Sequence, residues 1–160
     1  MITIRSGEKK DIPAVLSLIK ELALYENAAG EVLATIDSME EDGFGNRKYF
    51  EFFVAEEAEE ILGIAVYFHS YSTWKGRALY LDDLVVRENQ RRRGIGKLLF
   101  DALVKKAKEI GAQRLSWQVL EWNEPAIEFY KKINTDFDPE WINCKLNAEQ
   151  IINYKYLIIM

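Results

Sequence analysis

Three arginines followed by two spaced glycines, Arg91-Arg92-Arg93-Gly94-Ile95-Gly96, are the residues best equipped for chemistry. Before them, Leu79–Val86 reads as a strand carrying only two charges, Asp82 and Asp83. After them, Lys97–Ile110 reads as an amphipathic helix. Leu98, Leu99, Ala102, Leu103, Ala107 and Ile110 recur on one side, and Lys97, Asp101, Lys105, Lys108 and Glu109 on the other. A strand, a short turn and a helix start together present several backbone N–H groups at the positive end of a helix dipole. Gly94 and Gly96 let a ligand approach that backbone closely, and the arginines add fixed charge with bidentate phosphate geometry. The combination predicts a pyrophosphate cradle. It is not a Walker loop, because no Gly-Lys-Ser/Thr follows at the required distance. Nor is it a dinucleotide fingerprint, since the order is Arg-x-x-Gly-x-Gly rather than Gly-x-Gly-x-x-Gly.

Other side chains suggest proton transfer and cation binding. Alternation along a strand sends Asp82 and Asp83 to opposite faces, so they are not expected to share one site, and each needs a partner or a ligand. Tyr130, on a predicted helix after Asn123-Glu124-Pro125, is a phenol with an ordinary pKa near 10. It holds its proton at neutral pH and can act as a general acid. Asn123 is placed to cap that helix. Tyr25 and Glu26 close the first predicted helix. The single histidine, His69, lies in an apolar strand-like run and reads as packed or partly exposed. With one His and one Cys, Cys144, a multi-His metal site, a Cys-based zinc cluster and internal disulfides are not expected.

These groups must be positioned by a mixed set of elements. A strand is expected at Ile2–Arg5 and a helix over about Asp11–Tyr25. A short helix follows from the N-cap Thr35 to Gly43. Three strands come next, near Tyr49–Glu56, Ile61–Ser70 and Arg77–Val86, the first two joined by a charged turn. Beyond the glycine loop and its helix, a strand at Arg114–Val119 leads to a helix from about Glu124 to Ile133. Pro125 lies in its first turn and Asn134 at a left-handed C-cap. Trp141–Leu146 reads as a last strand. The apolar tail Ile151–Met160 is expected to pack on its own domain or on a neighbour.

At 160 residues, with 49% apolar and 29% charged residues, the chain reads as one globular domain, 1–160, with no run approaching a membrane span and no signal peptide. Its net charge of −5 argues against general nucleic-acid binding. The basic 91–97 segment contrasts with acidic stretches at Glu40–Asp42 and Glu51–Glu60, a surface that could recruit a cation.

Arg-x-x-Gly-x-Gly is the pattern of the acetyl-CoA loop in the GCN5-related N-acetyltransferases. The order of segments from Asp11 to Lys131 resembles that superfamily. Four strings resemble its spermidine/spermine and thialysine branch: Leu18–Ala23, Glu41–Gly45, Tyr80–Val86 and the long Glu121–Lys132. The resemblance implies an α/β fold with a mixed sheet of about six to seven strands and about four helices. It implies acetyl-CoA as co-substrate, no metal, a small-molecule amine as acceptor, a cytoplasmic location and a homodimer.

By resemblance, Leu84, Val85 and Val86 contact the acetyl and pantetheine groups through their main chain. Arg91, Arg92, Arg93, Gly94, Ile95, Gly96 and Lys97 hold the pyrophosphate, and Asn123 and Tyr130 also contact the cofactor. Tyr130 is the implied general acid and Asp82 a proton relay. Tyr25, Glu26, Trp74, Asp82 and Asp83 are implied to face the substrate. The chain departs from that branch at three places. Asp82 stands where the branch has Glu, Tyr71-Ser72-Thr73-Trp74-Lys75-Gly76 lacks an acidic residue and a proline, and Asn134 replaces a glycine. The implied reaction is direct attack by a polyamine, diamine or lysine-like amine. A protein lysine or N-terminal acetyltransferase and a non-catalytic CoA sensor remain alternatives.

Overall fold

The computed structural model describes residues 1–155. It falls into two compact units, one from Met1 to Gln118 and one from Val119 onward. The first holds a five-stranded sheet in the order β1-β2-β3-β4-β5: β1 Thr3–Ser6, β2 Glu51–Glu57, β3 Glu60–Ser72, β4 Gly76–Val86 and β5 Arg114–Ser116. The first four strands pair antiparallel and β5 joins β4 in parallel. Three helices accompany them: α1 Ile12–Tyr25, α2 Ile36–Phe44 and α3 Ile95–Glu109.

The sheet is covered on both faces, which fits the apolar run of β3. On one side Ile12, Val15, Leu16 and Leu18 of α1 and Met39 of α2 form a core with Phe52, Val54, Ile61, Ile64, Val66 and Val85. On the other side, α3 packs close to Gly63, where a Cβ would sit 2.8 Å from the Val85 carbonyl oxygen and 3.2 Å from Leu99 Cδ1. Thr35 caps α2 as expected, its hydroxyl accepting from the Ser38 amide at 3.1 Å. Arg5 clamps the start of α1 to the sheet, donating to Asp11 Oδ2 at 2.7 Å and to Glu56 Oε2 at 2.7 Å.

The charged turn between β2 and β3 is strained. Ala58 and Glu59 have φ of 50° and 66°, the left-handed pair that a tight hairpin demands and that Asn-Gly supplies most readily. Each ordinary residue held there costs about 1–2 kcal/mol. The double variant Ala58→Asn/Glu59→Gly is therefore expected to stabilise the fold by about 1–2 kcal/mol, seen as a higher urea midpoint at unchanged slope.

In the second unit, α4 (Glu124–Lys132) starts at Asn123, whose Oδ1 accepts from the Ala126 amide at 3.4 Å. It ends with Asn134 at φ 56°, the left-handed position read from the sequence. A short α5 spans Ala148–Ile152. Two expectations need correction. Strand β5 covers only Arg114–Ser116 rather than reaching Val119, and Trp141–Leu146 forms no strand. A strand exists only through a partner ladder, and among the described residues this segment has none. The described sheet accordingly has five strands instead of six or seven. Of the apolar tail, residues 156–160 lie outside the described residues.

Candidate active site

Strand β4 brings the predicted acidic pair and the predicted anion loop onto one continuous segment. Its ladder with β3 pairs Leu81 with Tyr67 and then Asp83 with Val66, so Asp82 is an extra residue with no partner. This β-bulge changes the geometry inferred from simple alternation. Tyr80 lies opposite Phe68, their rings stacked at 5.1 Å, and Asp82 is two residues further on the same face. Asp83, opposite Val66, falls on that face as well, because Val66 belongs to the core beneath α1. The two carboxylates thus sit side by side on the α1 side of the sheet, not on opposite faces. The bulge cannot be read from β4 alone, since it is a mismatch in count between two strands.

The end of α1 completes this cluster. Tyr25 is its last residue and Glu26 its C-cap. Burial, the Asp82 charge and the Glu26 charge together push the half-buried Asp83 carboxyl up to about 7. Burial also raises Asp82 and Glu26 above the usual carboxylate range. Three carboxylates crowded in this way favour a proton or a cationic ligand among them.

On the other side of β4, the ladder with β5 ends at Tyr80 and Ser116, so Leu81–Val86 lie beyond it. That splay leaves an edge of main chain at Leu84, Val85 and Val86, directly before the loop. Arg92, at φ 66°, and Gly94, at φ 77°, turn the chain into α3. Gly94 is its N-cap and makes no side-chain cap, and the first helical bond runs from Leu98 N to Gly94 O at 3.1 Å. The amides of Ile95, Gly96 and Lys97 therefore head the helix. A Cβ at Gly94 would meet nothing within 4 Å, and one at Gly96 would meet only Val86 Cγ2 at 3.9 Å. Protein packing does not require glycine at 96. What the bare position provides is access to the amides, which fits an anionic diphosphate.

The four cations expected there are not equivalent. Arg93 Nη2 donates to Glu57 Oε2 at 2.6 Å, and Lys97 Nζ lies 2.6 Å from Asp101 Oδ1. Arg91 donates through Nε to the Val86 carbonyl at 3.3 Å and lays its guanidinium over Tyr25, 5.4 Å from the ring centroid. Among the described residues, Arg92 has no ion-pair partner. Glu57 was not among the sequence candidates, and nothing local in the sequence marks it, because it lies 36 positions from Arg93. Gly63 was missed as well, although a glycine inside an apolar strand is a legible sign of close backbone approach.

Trp74 is not brought to the carboxylates. It sits at the tip of the β3–β4 hairpin, 86% exposed, about 20 Å along the strand from Asp82. His69 is exposed and pairs with Glu51 at 2.9 Å, close to the role read for it. In the second unit Tyr130 is buried, packs edge-on to Phe129 at 5.3 Å, and is pushed up to about 12 by burial.

Comparison with known proteins places the chain in a family. The profile of the Acetyltransferase (GNAT) family matches residues 17–134, across both units. A thialysine N-epsilon-acetyltransferase of Bos taurus is 34% identical over 140 residues, covering 82% of either chain. A human spermidine/spermine N(1)-acetyltransferase-like protein 1 is 29% identical over 94% of this chain and 23% of its own length. In structure, an aminoglycoside acetyltransferase from a soil metagenome, solved with sisomicin, superposes with a TM-score of 0.75 at 20% identity, over 91% of this chain and 95% of that one. The chain belongs to the acetyltransferase (GNAT) family, on the branch of the thialysine and spermidine/spermine N-acetyltransferases.

Proposed function

We propose that the protein transfers acetyl from acetyl-CoA to the primary amine of a small cationic substrate, of the lysine-like or polyamine kind, by direct attack. One observation carries this reading: β4 holds two carboxylates on its α1 face, joined by Glu26 from the end of α1, and runs straight into the uncapped, glycine-lined start of α3. The first suits a cation and the second a diphosphate. The similarity to thialysine and spermidine/spermine enzymes supports the same pairing. Function as one domain, spanning 1–160, belongs to this proposal and is supported by the family match crossing both units; a cytoplasmic homodimer belongs to it as well, on the resemblance alone.

The amides of Ile95, Gly96 and Lys97, with Arg92 beside them, hold the diphosphate of the donor, and Asn123 contacts it elsewhere. Bound acetyl-CoA supplies an activated acyl carbon and a thiolate leaving group. Main-chain N–H groups near Leu84–Val86, past the splay from β5, polarise the acyl oxygen. Glu26, Asp82 and Asp83 collect the substrate's positive charge. Asp83, poised near neutrality by burial and by its acidic neighbours, accepts the proton that the attacking ammonium must lose, with Asp82 as its relay to water. Tyr130, fully protonated at neutral pH, gives a hydrogen bond to the departing sulfur. At a pKa of about 12 it is a weaker acid than a thiol, so it stabilises developing charge more than it delivers a free proton. Trp74, exposed at the hairpin tip, is given no chemical step.

Two measurements test this. Acetyl-CoA should raise the melting temperature more than ATP does, because a nucleotide regulator would show the reverse. Tyr130→Phe should lower kcat by about 10²-fold with KM for acetyl-CoA nearly unchanged. Full activity in that variant would remove Tyr130 from the chemistry, and CoA binding with full function there would favour a sensor.

A further inference from the structure

The α1 face of the sheet continues past the carboxylates. Alternation along β3 is regular, so Phe68 falls on the same face as Val66, and Tyr80 stands opposite Phe68 as Asp83 stands opposite Val66. The two rings therefore form the next row of that face, about 7 Å along β3 from Val66, with Asp82 in the bulge between Tyr80 and Asp83. Electrostatics agree with this closeness: burial and then the Asp82 charge raise the Tyr80 phenol above its usual range. The apolar core beneath α1 includes Val66 but neither Phe68 nor Tyr80, and both rings are half-buried. Packing within that core does not account for two aromatic side chains beside two carboxylates.

The stacking decides what such a surface can hold. The ring centroids lie 5.1 Å apart and the planes are 28° from parallel, so each ring turns one face to the other, and those faces are closed to a cation. An aromatic edge carries partial positive charge and disfavours an ammonium, whereas methylene groups lie against it without penalty. The carboxylates also hold an ammonium more strongly than an exposed ring does. We propose that Phe68 and Tyr80 form a stem subsite: the acceptor's reacting ammonium is held at Asp82–Asp83 while its carbon chain lies across the stacked rings. The site then selects linear amines with several methylenes next to the reacting nitrogen over compact or hydroxylated ones. This rests on the reading of the carboxylates as the amine site.

The linear alkylamines from propylamine to hexylamine differ little in basicity, so their kcat/KM values compare burial of the stem. With saturating acetyl-CoA, the wild type is expected to gain about two- to four-fold in kcat/KM per added methylene. Tyr80→Thr and Phe68→Thr keep a strand-forming residue and remove one ring. Each should cut that gain to below about 1.5-fold, and Tyr80→Phe should keep it. The ratio between amines is the readout, because partial unfolding lowers every rate alike. A flat wild-type series overturns the stem subsite without recourse to any variant. Undiminished gain in either threonine variant overturns it too, and so does a gain lost in Tyr80→Phe, which would assign the effect to the hydroxyl. Each of these results leaves acetyl transfer intact, whereas no turnover of any amine, thialysine included, would defeat the proposed function itself.

Discussion

Asp83→Asn is expected to lower kcat/KM for a cationic amine by about 10²- to 10³-fold while making the fold more stable at alkaline pH. Both effects come from one cause. Asp83 is half-buried, next to Asp82 and within reach of Glu26, so its carboxyl is pushed up to about 7. A group near neutrality is well matched to accept a proton from an ammonium at working pH, and an amide has no such capacity. The sign for stability follows from proton counting. Between the ordinary carboxylate range and about pH 7 the folded protein holds a proton on Asp83 that the unfolded chain has released. Stability from this group is therefore present at low pH and is lost as pH rises through that window. In the Asn variant the loss does not occur, so thermal melts should coincide near pH 4 and separate above pH 7, with the variant melting higher. The wild-type rate should rise as Asp83 ionises, and that limb should be missing from the variant's pH–rate profile. A variant that is less stable at pH 8, or that keeps the limb, would show that Asp83 is a structural acceptor instead.

Gly96→Ala should separate fold from function in the same way. Position 96 lies in the first turn of α3, where alanine is about 1 kcal/mol better than glycine in a helix. A methyl there finds only Val86 Cγ2, at 3.9 Å, so the protein has room for it. The melting temperature should rise slightly. The methyl would nevertheless occupy the space through which a diphosphate reaches the amides of residues 95–97, and acetyl-CoA should bind at least about tenfold more weakly, a loss of about 1.4 kcal/mol. Binding unchanged by the methyl would mean that the donor does not approach the helix start there.

Much of this was legible because it is local. Thr35 as a cap, Pro125 in a first turn, Asn134 at a left-handed position and the glycines at the start of α3 are each set by a few neighbouring residues, and all appear where their types require. What was not legible depends on partners distant in sequence. The bulge at Asp82 arises because β4 has one residue more than the stretch of β3 it faces, and it moves Asp83 to the side of α1. The arginine triplet looked uniform as a string, yet Glu57, Tyr25 and the Val86 carbonyl give Arg93 and Arg91 separate tasks. Trp141–Leu146 alternates as a strand would, but alternation supplies a face and not a ladder. Trp74 was grouped with the acidic residues by resemblance, and hairpin length carries it away from them.

The central claim is that one strand joins a diphosphate site to a site for small cationic amines. The most direct test is acetyl-CoA-dependent thiol release by the purified protein, with thialysine, lysine, spermidine and a lysine-containing peptide offered in parallel and a no-amine control. The expected result is rapid release with at least one free small amine, little with the peptide, and none without amine. Release confined to the peptide, or none with any amine while acetyl-CoA still binds, would contradict it.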